Sequence, residues 1–141
     1  MEEPVDPIRT THRLLLRTFW KLQRAIRNRL EEFGITPPQF SVLVRVGEEG
    51  VPLTRLADKM YSDISTVNGI VNRLEKQGLV KRERCTSDRR VVYIKLTPEG
   101  LALRQRVMPV HLQHIEERYA VLSAEELATL QELLKKLAGN L

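Results

Sequence analysis

Between positions 9 and 33 the apolar residues fall at helical spacing. Leu15, Phe19, Leu22, Ile26, Leu30 and Phe33 recur every three or four residues, the period of one helix face. Arg13, Arg17, Lys21, Arg24 and Arg27 fall on the opposite side at about 100° per residue. Leu14, Leu16 and Trp20 widen the apolar side beyond a single seam, so this helix is expected to meet more than one neighbour. Gly34 is placed to end it as a C′ glycine.

Thr36-Pro37-Pro38 opens a second helix, with Thr36 as N-cap and proline in the first turn. Phe40, Leu43, Val44 and Val46 supply its apolar face. Gly47 to Pro52 reads as a turn, and Leu53 to Lys59 as a short helix with Leu56, Ala57 and Met60 inward. Ser62 is the expected N-cap of a helix spanning Asp63 to Gln77, in which Ile64, Val67, Val71 and Leu74 repeat at helical spacing and which Gly78 closes. There the period changes. Leu79, Val80, Arg82 and Arg84 lead to a polar tip, Cys85-Thr86-Ser87-Asp88-Arg89-Arg90, and a β-branched and aromatic run follows from Val91 to Leu96. Two such runs around a charged tip predict a hairpin.

Thr97-Pro98 restarts helix as N-cap and first-turn proline. Leu101, Met108, Leu112, Ile115, Tyr119 and Leu122 form a heptad-like stripe, interrupted at Pro109, where a kink or break is expected. Ser123-Ala124-Glu125-Glu126 is a capping box with Leu122 and Leu127 as its staple, and Leu127, Leu130, Leu134 and Leu137 make a final helical face. The predicted fold is mainly α with a small β-hairpin wing. A winged helix-turn-helix covers 35–97, a helical dimerisation region combines 9–34 with 98–141, and 1–8 form an N-terminal tail. A winged helix of roughly 60 residues cannot bury the wide stripes of the first and last helices, so an isologous homodimer is expected.

Composition narrows the classes. At 141 residues, 42% hydrophobic and 29% charged, the chain suits one ordinary folded domain. One cysteine excludes an intramolecular disulfide and a Cys-rich zinc site. Aromatics at 5% argue against a base-stacking sheet for single-stranded RNA. The acidic N-terminus lacks an apolar signal region and no stretch reaches the ~18 apolar residues of a membrane span, so a cytoplasmic location is expected.

Net charge is only +5, but residues 9–29 carry +7, residues 73–95 carry +5, and the remainder carries −7. Two basic segments on a weakly acidic body suggest a polyanion partner.

Several short motifs stand in a specific order: Ile35-Thr36-Pro37-Pro38-Gln39-Phe40, Leu53-Thr54-Arg55-Leu56-Ala57, Ser65-Thr66-Val67-Asn68 running to Arg73-Leu74-Glu75-Lys76-Gln77-Gly78-Leu79-Val80, Asp88-Arg89-Arg90, and Leu96-Thr97-Pro98-Glu99-Gly100. Each is weak alone. Together, over roughly residues 35–100, the sequence resembles the MarR family of bacterial winged helix-turn-helix transcription regulators; outside that core only the pattern of helices matches. The resemblance implies a dimeric regulator of a pseudo-palindromic operator, usually a repressor released by a small phenolic or other aromatic ligand.

The helix after Asp63 is then expected in the major groove of double-stranded DNA. Its outward residues are Ser65, Thr66, Asn68, Gly69 and Asn72. Asn68 is the first choice for base contact, since asparagine can bond adenine with both amide atoms, and Thr66 the second. Gly69 departs from relatives that carry a long basic residue there; it either loses a contact or admits close backbone approach. Arg73, Lys81, Arg82 and Arg84 are expected at phosphates, although only alternate strand residues can face DNA. The resemblance further implies that Arg90, beside Arg89, enters the minor groove with its guanidinium held by Asp88, an insertion that narrow A·T-rich grooves favour.

Relatives suggest a ligand pocket near Arg17, Trp20 and Phe40. Cys85, among Arg84, Arg89 and Arg90, is either an oxidisable thiolate favoured by those cations or a small strand residue. His111, His114 and Glu117 fall at three-residue spacing but make an incomplete metal set; a wet helix face or dimer contacts fit them better. No catalytic residue, metal or cofactor is expected, because no P-loop, dinucleotide fingerprint or nucleophile elbow is present. Two rivals remain: a membrane-surface protein using the basic amphipathic first helix, and a sequence-independent DNA-coating protein.

Overall fold

The computed structural model describes residues 5–141; of the expected tail 1–8, residues 1–4 lie outside the described residues. Helix α1 runs Pro7–Leu30, two residues ahead of the expected start. Asp6 explains this, since its Oδ1 accepts the backbone N–H of Ile8 at 3.0 Å and of Arg9 at 3.2 Å, and Pro7 takes the first helical position. A 3-10 turn, Glu31–Phe33, ends at Gly34.

Helix α2 (Pro37–Arg45) opens on the Thr36 cap: Thr36 Oγ1 accepts Gln39 N–H at 3.3 Å, and Gln39 Oε1 accepts Thr36 N–H at 3.1 Å. The segment expected as a turn from Gly47 to Pro52 ends in a short strand, β1 (Val51–Pro52). Two residues carry no readable period, and their pairing is long-range: Val51 opposes Ile94 and Pro52 opposes Tyr93. Pro52 is tolerated because β1 is an edge strand.

Helix α3 (Leu53–Lys59) leads through a turn to α4 (Ile64–Lys76). The cap of α4 is Asp63, not Ser62 as expected. Asp63 Oδ1 accepts Thr66 N–H at 2.7 Å. Ser62 belongs to the turn instead: its N–H donates to Ala57 O at 3.1 Å and its hydroxyl to Met60 O at 3.3 Å. Tyr61 makes this turn in the left-handed region, at φ 51°. At the other end Gly78 (φ 75°) donates to Glu75 O, and Leu79 N–H donates to Leu74 O, each at 3.0 Å. This is the double bond of a Schellman stop, with Leu79 and Leu74 as its buried apolar pair.

The expected hairpin is β2 (Val80–Arg84) against β3 (Val92–Leu96), in register from Val80 opposite Leu96 to Arg84 opposite Val92. With β1 it makes a three-stranded antiparallel sheet, ordered β1-β3-β2. Helix α5 runs Pro98–Tyr119, so of the kink or break expected at Pro109 a break does not occur. The lost N–H there orphans only the carbonyl of Gln105; both residues are exposed, so water can satisfy it. Helix α6 (Ala124–Ala138) begins on the expected Ser123/Glu126 box.

The chain divides into two compact units, Met1–Met108 and Pro109–Leu141. The core of the first joins Leu30, Phe40, Leu43, Leu56, Val67, Val71, Leu74, Ile94 and Val107. Each such side chain stabilises by about 1.5–3 kcal/mol, so burial of Val67, Val71 and Leu74 sets which face α4 turns outward. Arg104 ties the start of α5 to α2, donating to Leu43 O at 3.3 Å and Val46 O at 3.1 Å, a cation at a helix C-terminus. The second unit leaves Leu133, Leu134 and Leu137 exposed.

Candidate nucleic-acid interface

With one face of α4 buried, Ser65, Thr66, Asn72 and Arg73 are exposed, and Asn68 and Gly69 half-buried. These are the residues that helical periodicity set outward. The Asp63 carboxyl is held below its ordinary 3.8, first by the Thr66 backbone N–H and then by the Thr66 hydroxyl. A Cβ built at Gly69 would meet nothing within 4 Å, so no packing within the chain demands glycine there. Tyr61, 98% exposed, stands just ahead of α4. Periodicity passes over it because it lies in a turn, and an aromatic residue at positive φ leaves no sequence signature.

The wing tip is ordered by its own side chains. Arg90 donates from Nε to Asp88 Oδ1 at 3.1 Å and from Nη2 to Asp88 Oδ2 at 3.3 Å. The Arg90 guanidinium, and after it the Arg90 N–H, holds the Asp88 carboxyl low. Arg90 nevertheless projects into solvent, with its side chain 91% exposed. Arg84 Nη1 donates to Arg89 O at 3.0 Å, so Arg84 braces the tip that carries Arg89 and Arg90.

Strand alternation divides the remaining cations. Lys81 is exposed, on the face of Glu83, which pairs with Lys95 at 2.9 Å. Arg82 points the other way, onto α4. Its Nη2 donates to Asn72 Oδ1 and to Asn68 O, and its Nε lies 3.6 Å from Glu75 Oε1. Only 23% of the side chain is exposed.

The other sequence candidates are scattered. Arg17 and Trp20 are exposed on α1, whereas Phe40 is buried on α2. A recess of about 230 Å³ lies elsewhere, lined by Cys85, Tyr93, Lys95 and Glu49 among others. Cys85 Sγ lies 3.0 Å from Ser87 Oγ. Its thiol is lowered chiefly by that contact, then by the backbone N–H groups of Asp88 and Ser87, while the Asp88 charge opposes; arginine cations are not the cause. His114 is buried and His111 half-buried. Burial, and then the neighbouring His114, pushes His111 below its ordinary 6.5. Among the described residues no group of three or more His, Cys, Asp or Glu is arranged to hold a metal.

A helix-turn-helix made by α3 and α4, followed by a hairpin whose tip presents a guanidinium, defines a winged helix-turn-helix protein. The MarR family profile matches residues 35–92. The HTH-type transcriptional regulator YsmB of Bacillus subtilis is 36% identical over 112 residues, covering 79% of this chain and 77% of that one. Among solved structures, a variant of the E. coli MarR protein in complex with operator DNA superposes with a TM-score of 0.86 at 28% identity, covering 96% of this chain and 99% of that one. CouR of Rhodococcus jostii RHA1, bound to p-coumaroyl-CoA, gives 0.78 at 29% identity over 89% of each chain. The chain belongs to the MarR family of transcription regulators.

Proposed function

We propose that the protein is a homodimeric repressor that binds a pseudo-palindromic operator in double-stranded DNA and is released by a small, often aromatic, ligand. One observation carries this reading: a polar α4 face and a solvent-projecting Arg90, held by Asp88, stand on one winged helix. Ser65, Thr66, Asn68 and Asn72 address the major groove, beside Gly69, which has open space where a side chain would be. Arg73 and Lys81 meet phosphates; Arg84 contributes by bracing the tip. Arg90, with Arg89, enters the minor groove. Regulation rather than catalysis is its activity, and the cytoplasm its place of action.

The division of labour follows. Residues 35–97 bind DNA, and 9–34 with 98–141 dimerise. Exposed Phe19, Trp20, Leu133, Leu134 and Leu137 support the second assignment, because two copies can bury in common what one leaves open. Of the three residues proposed for a ligand site, Arg17 and Trp20 are open to a ligand, whereas Phe40 belongs to the core.

The same exposed α1 residues favour the rival reading of a membrane-surface helix, its Trp20 63% exposed beside Arg17 and Arg24. No helix of the described residues is long and apolar enough to cross a membrane, but a surface helix needs no span. Co-sedimentation with anionic liposomes, set beside duplex binding at equal salt, separates the two. The repressor reading requires duplex binding with the liposome pellet empty; the reverse result defeats it.

A further inference from the structure

Arg82 is the one cation of the wing strands that reaches the recognition helix, and it meets three residues on a single stripe of α4. Asn68 supplies its backbone carbonyl at 3.4 Å, Asn72 its side-chain Oδ1, and Glu75 its carboxylate at 3.6 Å. Spacings of four and three place these acceptors on one side of the helix. A guanidinium has donors only, so the amide atom facing it must be Oδ1, not Nδ2. Contact with Arg82 therefore fixes which way the Asn72 amide is turned.

We propose that Arg82 is a positioning residue for sequence readout: it sets Asn72 with Nδ2 outward, so that position 72 presents a donor to the groove and reads a base acceptor. The two-atom contact needs Oδ1 to accept from adenine N6 while Nδ2 donates to N7. With Oδ1 turned to Arg82, one of its two lone pairs is already taken, so an incoming amino group must share the oxygen with a cationic donor. Nδ2 is the donor left facing outward, and its major-groove partners are guanine O6 and N7, adenine N7 and thymine O4, whereas cytosine presents only a donor. Asn68 lends Arg82 only a backbone carbonyl, so its side chain is not constrained this way. The two asparagines of α4 thus have different base preferences, although their sequence chemistry is the same. Arg82 itself leaves the set of phosphate contacts.

This inference rests on α4 lying in the major groove. The test is selection of bound duplexes, followed by affinity against salt, for the wild-type protein, Arg82→Lys, Arg82→Ala and Asn72→Asp, with melting temperature recorded for each. Wild type is expected to select against cytosine at the position facing Asn72, because its major-groove edge offers only a donor. Arg82→Lys keeps the charge but loses the fork, so that preference should relax by about tenfold with an unchanged salt slope. Asn72→Asp keeps the partner of Arg82 and hence the melting temperature, but removes the outward donor and abolishes the preference. If Arg82→Lys leaves every base preference intact, or if Asn72→Asp does, the proposal is overturned. It is equally overturned if Arg82→Ala weakens all sequences alike and lowers the salt slope by about 0.9 per subunit, the signature of a phosphate contact. A wild-type protein that selects no site overturns the major-groove reading itself; a wild type that selects a site while the variants read it unchanged overturns this proposal alone.

Discussion

Asp88 holds Arg90 at three points: Oδ1 accepts the Arg90 backbone N–H at 3.0 Å and Nε at 3.1 Å, and Oδ2 accepts Nη2 at 3.3 Å. The carboxylate thus fixes both the turn and the direction of the guanidinium before any partner arrives. Pre-ordering a long side chain lowers the entropy lost on binding. Arg90→Ala should weaken operator affinity by about tenfold or more, some 1.4 kcal/mol, in a fluorescence titration. Its melting temperature should fall only slightly, because the side chain is exposed and loses just its contacts with Asp88. Asp88→Asn keeps an acceptor but loses the charge, so a smaller loss is expected. An Arg90→Ala protein of undiminished affinity would remove the wing from the interface.

Gly69 sits in mid-helix with open space where a Cβ would be. Gly69→Ala should stabilise the fold by about 1 kcal/mol through helix propensity, visible as a higher denaturant midpoint. Gly69→Lys should add a phosphate contact and steepen the salt dependence of DNA binding by about 0.9 per subunit. A drop in affinity for Gly69→Ala would instead mean that the bare backbone approaches the duplex there.

Gly100 is the opposite case. A Cβ there would lie 2.0 Å from the Leu79 carbonyl oxygen, while Thr97 N–H donates to that oxygen at 3.1 Å and the Thr97 hydroxyl to Gly78 O at 2.6 Å. The start of α5 is clamped against the end of α4, with no flexible side chain to yield. Gly100→Ala should cost about 1–3 kcal/mol, measured by chemical unfolding. Unchanged stability would show that the clamp opens freely.

Acid should destabilise the fold in two stages. His111 is pushed below its ordinary 6.5 by burial, so the unfolded chain takes up that proton first and stability falls as pH drops through 6.5. Asp63, Glu83, Asp88 and Glu126 are held below their ordinary 3.8 and 4.5 by hydrogen bonds and, for Glu83, by Lys95. Their contribution is full above those values and is lost as pH falls through the depressed ones. Melting temperatures between about pH 8 and pH 3 should decline in both windows, and His111→Gln should erase only the first. Stability that rises on acidification would contradict the assignment.

The helices were legible because burial leaves a period. Val67, Val71 and Leu74 announced both α4 and its outward polar face, and Gly78 announced the stop. Features decided by contacts distant in sequence were not legible. Strand β1 is two residues paired with β3 some forty positions later, and the choice between Ser62 and Asp63 as cap depends on a left-handed Tyr61. The exposure of Ser65, Thr66 and Asn72 on α4 and of Arg90 at the tip was legible, but not the contacts among the neighbouring side chains. Arg82 and Arg84 are indistinguishable from Lys81 as charges along a strand, and only the fold shows that Arg82 reaches α4 and Arg84 the tip. Pro109 does not end α5, because its exposed position tolerates the lost bond.

The central claim is that this chain reads a two-fold DNA site. Selection of bound duplexes from a random pool, at stated salt and with and without candidate aromatic acids, tests it most directly. The account predicts an inverted repeat whose half-sites lie about one helical turn apart, A·T-rich where Arg90 enters, with recovery falling when an effective acid is added. A pool that stays random at every salt concentration, or that yields a single unrepeated site, would contradict it.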